Sequence, residues 1–208
     1  ENAEGAVSVL VEGNKAVLVH VKCETDFSAK SEQFLNFVNS LTSDVLSQGA
    51  AAVDNHAQEL DDLRLSVKEN VEIGKVEVVE AADGNLLDIY VHQQDGRGVN
   101  GVIIEGKAVD QETLHQVALH VAFAKPAALT REEVSQEAIE KERAALLEIT
   151  KAEGKPEQAW EKIVEGRLTG WFRESVLLDQ GLHGDKTPVK DSLGGGEIVR
   201  FVQAYLGG

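Results

Sequence analysis

The chain is short of positive charge. Its 208 residues carry 20 Lys and Arg against 36 Asp and Glu, a formal net charge of −16. A surface of that sign does not neutralise a phosphate backbone, so direct nucleic-acid binding is not expected. It suits a protein whose copies repel one another and which meets a basic surface. Cysteine is nearly absent. Cys23 alone permits neither an intramolecular disulfide nor a cysteine-cluster metal site, and a reducing compartment is expected. No apolar run is long enough to cross a bilayer and no basic-then-apolar leader opens the chain, so no membrane partner is expected. The chain begins at Glu1 without a methionine, as expected of a processed or excerpted piece. Catalytic motifs are missing too: there is no Gly-x-Ser-x-Gly elbow, Walker loop, dinucleotide fingerprint or EF-hand loop. His115 and His120 stand five apart, whereas a helix-borne zinc pair stands four apart. Neither a metal, a cofactor nor covalent catalysis is expected.

What is present is patterned apolar sequence, with 42% hydrophobic residues to build a core. Val7, Val9, Val11 and Val17, Val19, Val21 alternate on either side of Gly13-Asn14, which predicts a β-hairpin whose turn residues tolerate positive φ. Phe34, Phe37, Val38, Leu41 and Val45 recur at helical steps, with Ser28 or Ser31 as N-cap and Gly49 at the end. A weaker helix is predicted from about Ala57 to Val71, then a strand from Lys75 to Val79. The pattern restarts with a second hairpin, Leu87 to His92 and Val99 to Glu105 around a polar loop Gln93 to Gly98. A helix from Gln111 to Ala124 follows, ended by Pro126. Ile198 to Leu206 reads as a late strand. Hairpin, helix and returning strand thus occur twice, which predicts an α+β fold of two similar subdomains, each with a three-stranded antiparallel sheet. The expected boundaries are 1–82 for the first, and 83–130 with 180–208 for the second.

Residues 131–179 read as an inserted antiparallel helical hairpin. Thr130 and Glu133 form a potential capping box, Gly154 stops the first helix and Pro156 starts the next. Trp160, Trp171 and Phe172 fall at helical spacing and are expected in the hairpin core. Gly194-Gly195-Gly196 lacks a following Lys-Ser/Thr and reads as a turn, not a phosphate loop.

The candidate site lies where the first hairpin meets its helix, in Cys23-Glu24-Thr25-Asp26-Phe27-Ser28-Ala29. An acid and a large aromatic stand side by side at a junction that a rigid scaffold can present to a partner. They serve either as an outward-facing contact or as the helix's cap and first core residue. The second hairpin-to-helix junction, Gly106 to Gln111, has no Asp-Phe pair, so the fold itself does not require one. Cys23 reads as a buried strand-end thiol, not a nucleophile.

Val19 to Lys30, Val-His-Val-Lys-Cys-Glu-Thr-Asp-Phe-Ser-Ala-Lys, resembles the Cys-Glu/Gln-Thr-Asp-Phe-Val-Ala-Arg/Lys signature of the elongation factor Ts family. These are nucleotide exchange factors of the translational GTPase elongation factor Tu. Val117 to Pro126 is similar to that family's His-Val-Ala-Ala-x-x-Pro signature. Gly154-Lys-Pro-Glu157 with Glu161 to Leu168 is similar to its helical-hairpin signature. The blocks occur in the family's order along the whole chain. The resemblance implies two α+β subdomains plus an antiparallel coiled coil. It also implies a partner, elongation factor Tu, whose G domain Thr25, Asp26 and Phe27 contact. There the aromatic wedges between helices and the loop disturbs the magnesium site. His120 matches the family histidine on the phosphate side of that interface, and Asn100-Gly101 matches a further contact in the second hairpin.

Four departures accompany the match. The family's N-terminal helical domain has no counterpart here, as expected of a fragment. Ser28 stands for a valine, Asn100 for Ile or Val, and Gly181-Leu182 for Pro-Phe after Gln180. The expected activity is promotion of GDP release from elongation factor Tu, in the bacterial cytoplasm or alternatively a mitochondrial matrix or plastid stroma. One-to-one and two-to-two complexes, or a homodimer, are all compatible. The rival expectation is an acidic interaction or dimerisation module without exchange activity.

Overall fold

Gly13-Asn14 closes a tight hairpin in the computed structural model, which describes residues 2–208. β1 (Glu4–Glu12) and β2 (Lys15–Cys23) pair antiparallel from Glu12↔Lys15 onward, leaving only those two residues in the turn. Gly13 alone takes positive φ, at 62°, which is the type II′ arrangement. A one-turn helix, α1 (Asp26–Ala29), and a long one, α2 (Glu32–Gln48), follow. Then come α3 (Ala57–Val67) and β3 (Val71–Glu80), which pairs with β2 to complete a β1-β2-β3 sheet. The helix expected to reach Val71 ends four residues earlier. Lys68 takes left-handed geometry (φ 59°) and returns its N–H to the Arg64 carbonyl, and Val71 already opens the strand. Val17, Val19, Val21 and Cys23 form one face of β2 and pack with Phe34, Phe37, Val38, Leu41 and Val45 of α2.

The second sheet repeats the plan. β4 (Leu86–Gln94) and β5 (Arg97–Lys107) are joined by Asp95-Gly96 alone, tighter than the six-residue loop expected. Both turn residues have positive φ (53° and 81°), the type I′ turn that Asp-Gly favours. Val99 is the extra residue of a bulge, since His92 faces Asn100 while Gln93 faces Gly98. α4 (Gln111–Ala124) follows, capped by Asp110, whose carboxylate accepts the Thr113 N–H at 2.7 Å. β6 (Glu197–Tyr205) returns beside β5. Among the described residues the fold is therefore α+β, with two three-stranded antiparallel sheets and six α-helices.

The two sheets share a core and belong to one compact unit, the residues up to Phe123 together with Gly195–Gly208. Val7, Ala16, Leu18 and Val79 of the first sheet meet Ile103 and Ala204 of the second. Two glycines permit the approach. A Cβ on Gly98 would run into the Val7 carbonyl, and one on Gly101 would stand 2.8 Å from methyls of Val7 and Val9. Arg97, also buried, donates from Nε to the Gly5 carbonyl at 2.8 Å, and Lys75 Nζ donates to the Gln203 carbonyl at 2.7 Å.

His20 lies on the same face of β2 as Ala16 and Leu18, is buried, and its Nε2 has no hydrogen-bond partner. Burial, with the positive charges of Lys22 and Lys75, lowers its pKa from 6.5 to about 4. The unfolded chain therefore takes up the proton first. The stability contributed by neutral His20 is complete above pH 6.5 and is lost as pH falls toward 4, by about 3 kcal/mol in total. Urea unfolding at pH 7 and pH 4 should show the wild type losing about that much more than His20→Gln. Equal losses would remove His20 from the acid response.

The second unit, Ala124–Gly194, holds the helical hairpin α5 (Gln136–Ala152) and α6 (Trp160–Ser175). The expected capping box does not form. Val134 is extended, so the helix starts later: Ser135 is the N-cap and accepts the Ala138 N–H, while the Glu133 carboxylate takes the Leu129 N–H. Gly154, at φ 78°, turns the chain as expected. Leu168, Phe172 and Val176 form the core with Trp171 at its edge. Trp160 stays half-buried, its Nε1–H donated to the Lys155 carbonyl and Lys151 over its ring. No helix among the described residues is long and apolar enough to cross a membrane.

Candidate functional site

The β2–α1 junction is built by two successive caps. Thr25 is extended (φ −126°, ψ 153°), and its Oγ1 accepts the Ser28 N–H at 3.3 Å, which starts α1 at Asp26. One turn later the helix stops. Lys30 returns its N–H to the carbonyls of Asp26 and Ser28, and Ser31 goes extended. Ser31 then caps α2, its Oγ accepting the Phe34 N–H and donating to the Ser28 carbonyl at 2.7 Å. A continuous helix would put Phe27 and Phe34 on one face, seven residues apart. The break at Lys30-Ser31 separates them: Phe34 is fully buried and Phe27 is 81% exposed. Phe27 is therefore not the first core residue of the helix: its ring faces outward. Asp26 is half-buried, with its carboxylate 3.4 Å from Lys30 Nζ, and that ammonium lies 6.0 Å from the Phe27 ring centre.

The junction is held from the α3–β3 loop. Glu69 Oε1 accepts the N–H groups of Glu24 (2.9 Å) and Thr25 (3.0 Å), and Oε2 accepts the Thr25 hydroxyl at 2.9 Å. Glu24 answers by accepting the Asn70 N–H at 2.9 Å. Burial acts to raise the pKa of Glu69, but hydrogen bonds from Ser28, Thr25 and Glu24 outweigh it and hold the carboxyl below its ordinary value. Burial and the nearby Glu69 charge push the Cys23 thiol up to about 12, and Sγ donates to the Thr25 carbonyl. Such a thiol is not a nucleophile at neutral pH.

The other sequence-derived site residues lie on the second sheet and α4. Asn100 and Gly101 point to opposite faces of β5. The Asn100 amide donates to the Ala122 carbonyl near the end of α4 at 2.8 Å and accepts from Gln203 at 3.1 Å. Gly101 is buried against the first sheet. His120 is buried in α4. His115 does not join it: its Nδ1 lies 2.7 Å from Asp88 Oδ2 on β4.

Sequence reasoning included Glu24 in the candidate segment without a role and missed Glu69, which lies 45 residues away and looks like any other acid of an acidic chain. It also missed Phe123, 72% exposed, with its ring centre 6.4 Å from that of Tyr90. Its place at the end of an apolar helix hid it.

The chain resembles known proteins along most of its length. The sequence model described as Elongation factor TS matches residues 24–207. A protein named Elongation factor Ts from Renibacterium salmoninarum is 41% identical over 197 residues, covering 88% of this chain and 70% of the relative. One so named from Paenarthrobacter aurescens is 39% identical over 196 residues, with the same coverage of 88% and 70%. Another from Micrococcus luteus is 39% identical over 190 residues, covering 86% and 68%.

Proposed function

The chain belongs to the elongation factor Ts family, and from that premise we propose that it binds elongation factor Tu·GDP and promotes GDP release. It is a translation elongation factor of bacterial type, acting in the cytoplasm and performing no covalent chemistry. The observation that carries the reading is Phe27: a large aromatic, 81% exposed, on a turn capped at both ends and tied to a neighbouring loop. A fold gains nothing from bracing an aromatic with caps and ties and leaving the ring in water, whereas a partner surface gains a rigid apolar anchor.

Thr25, Asp26 and Phe27 make the primary contact with the G domain. Magnesium neutralises the phosphates of bound GDP and requires near-octahedral oxygen ligation. A ring inserted beside that site displaces its supporting residues and weakens nucleotide and metal together. Linkage then requires GDP to weaken the factor's own binding by the same factor, so incoming nucleotide releases it. Asn100, Gly101 and His120 make the second contact. Because the Asn100 amide and the Gly101 α-carbon are committed inside the fold, that contact works through the shape and backbone of the β5–α4 layer. The test is release of fluorescent GDP from elongation factor Tu after excess unlabelled GDP is added. The chain should accelerate release in a dose-dependent manner; release at the spontaneous rate at every dose overturns the reading.

A further inference from the structure

We propose that Glu69 is the positioning residue of the Thr25–Phe27 turn, holding Phe27 in the orientation from which it engages the GTPase. This rests on the exchange reading above and adds to it the group that makes the anchor rigid.

The turn cannot order itself. α1 has four residues, far fewer than an isolated helix needs to outlast its nucleation cost. Phe27 contributes no burial of its own. Order must come from outside the segment, and the supports are few. Ala29 is buried, and Cys23 Sγ bonds the Thr25 carbonyl. Ser31 Oγ bonds the Ser28 carbonyl at the turn's far end. The largest set of ties from another loop runs to the Glu69 carboxylate, which takes two backbone N–H groups and one hydroxyl from consecutive residues. Bonds to an ionised acceptor are roughly twice as strong as neutral ones. They also converge on Thr25, whose Oγ1 donates to Glu69 and accepts from Ser28. The carboxylate therefore orients the hydroxyl that caps α1, and the cap sets where the next two side chains point. Glu24 and Asn70 close the link from the other side, so the two loops are tied in both directions. A ring held this way loses little conformational freedom on docking, which is where preorganisation yields affinity.

A purely structural Glu69 would make a different prediction, and a double-mutant cycle separates the two. Positioning requires that removing Glu69 matter only while Phe27 is present. In the GDP-release assay, Glu69→Ala should lower the stimulated rate about 10-fold, and Glu69→Gln, which keeps an acceptor for the two backbone donors, about 3-fold. In a Phe27→Ala background neither change should lower the rate further. A second readout needs no partner. Hydrogen exchange at the amides of Glu24 and Thr25 should speed up at least 10-fold in Glu69→Ala and stay unchanged in Phe27→Ala, with α2 protection constant in both. Equal losses of rate in the two backgrounds, or unchanged exchange at Glu24 and Thr25, overturn the proposal. If the wild type itself fails to accelerate GDP release, the exchange reading fails. The amide measurement then still decides whether Glu69 fixes the turn.

Discussion

Phe27→Ala should lower the stimulated rate of GDP release about 30-fold and leave the unfolding temperature unchanged. The two halves of that expectation come from one number, the 81% exposure of the ring. Truncating a side chain already in water removes little buried apolar surface, so the stability change should stay within about 0.5 kcal/mol. At a docked interface a large aromatic seated in a pocket is an anchor whose truncation is costly. Its removal costs about 2 kcal/mol, or roughly a factor of 30. Measuring the rate at saturating factor separates wedging from simple affinity. If only the half-saturating concentration rises while the maximal rate holds, Phe27 is an anchor that does not open the nucleotide site. If neither changes, Phe27 has no part in exchange. A fall of several degrees in unfolding temperature would place the ring in the core and refute its exposure. Asp26→Asn is the natural companion. It removes the ion pair with Lys30 but spares the ring.

Much of this fold could be read from spacing. The valines around Gly13-Asn14 specify strand and register together, because a one-residue slip would turn Val17, Val19 and Val21 away from α2. The stripe of α2 and the extent of α4 were equally plain. What escaped was set by contacts distant in sequence or by backbone details too short to leave a period. The break at Lys30-Ser31 occupies two residues and interrupts a spacing that looks continuous, so Phe27 could be read either way. Asp95-Gly96 was hidden inside a longer polar stretch, although its dipeptide is a strong turn signal. Thr130 and Glu133 matched a cap pattern, but the chain stays extended at Val134 and the cap passes to Ser135.

The second half of the site depended on layering. Only when the sheets stack does it emerge that Gly101 is small because β1 lies against it, and that Asn100 is polar because the end of α4 needs a donor. An asparagine in place of the apolar residue that the resemblance led one to expect is thus a change of internal wiring as well as of surface. Glu69 left no trace in the sequence at all. Its role exists only because the α3–β3 loop closes over the junction.

Phe34→Ala should have the opposite signature to Phe27→Ala, and the pair together tests the break between α1 and α2. Phe34 is fully buried among the valines of β2 and the stripe of α2. Removing its ring loses the transfer energy of the ring and leaves a cavity that close-packed neighbours fill only in part, at a cost of about 3–5 kcal/mol. For a chain of this size that corresponds to a fall of roughly 10 °C in unfolding temperature. Stimulated GDP release, measured well below that temperature, should remain within a factor of about three of wild type, since Glu69 and the Thr25 cap still hold the turn. Were residues 26–48 one continuous helix, Phe27 and Phe34 would share a face and their alanine variants would cost similar stability. A loss below about 1 kcal/mol for Phe34→Ala, or comparable losses for both, would contradict the break that turns Phe27 outward. A large loss of exchange at full folding would instead mean that α2 itself carries the contact, and that the capped turn only leads into it.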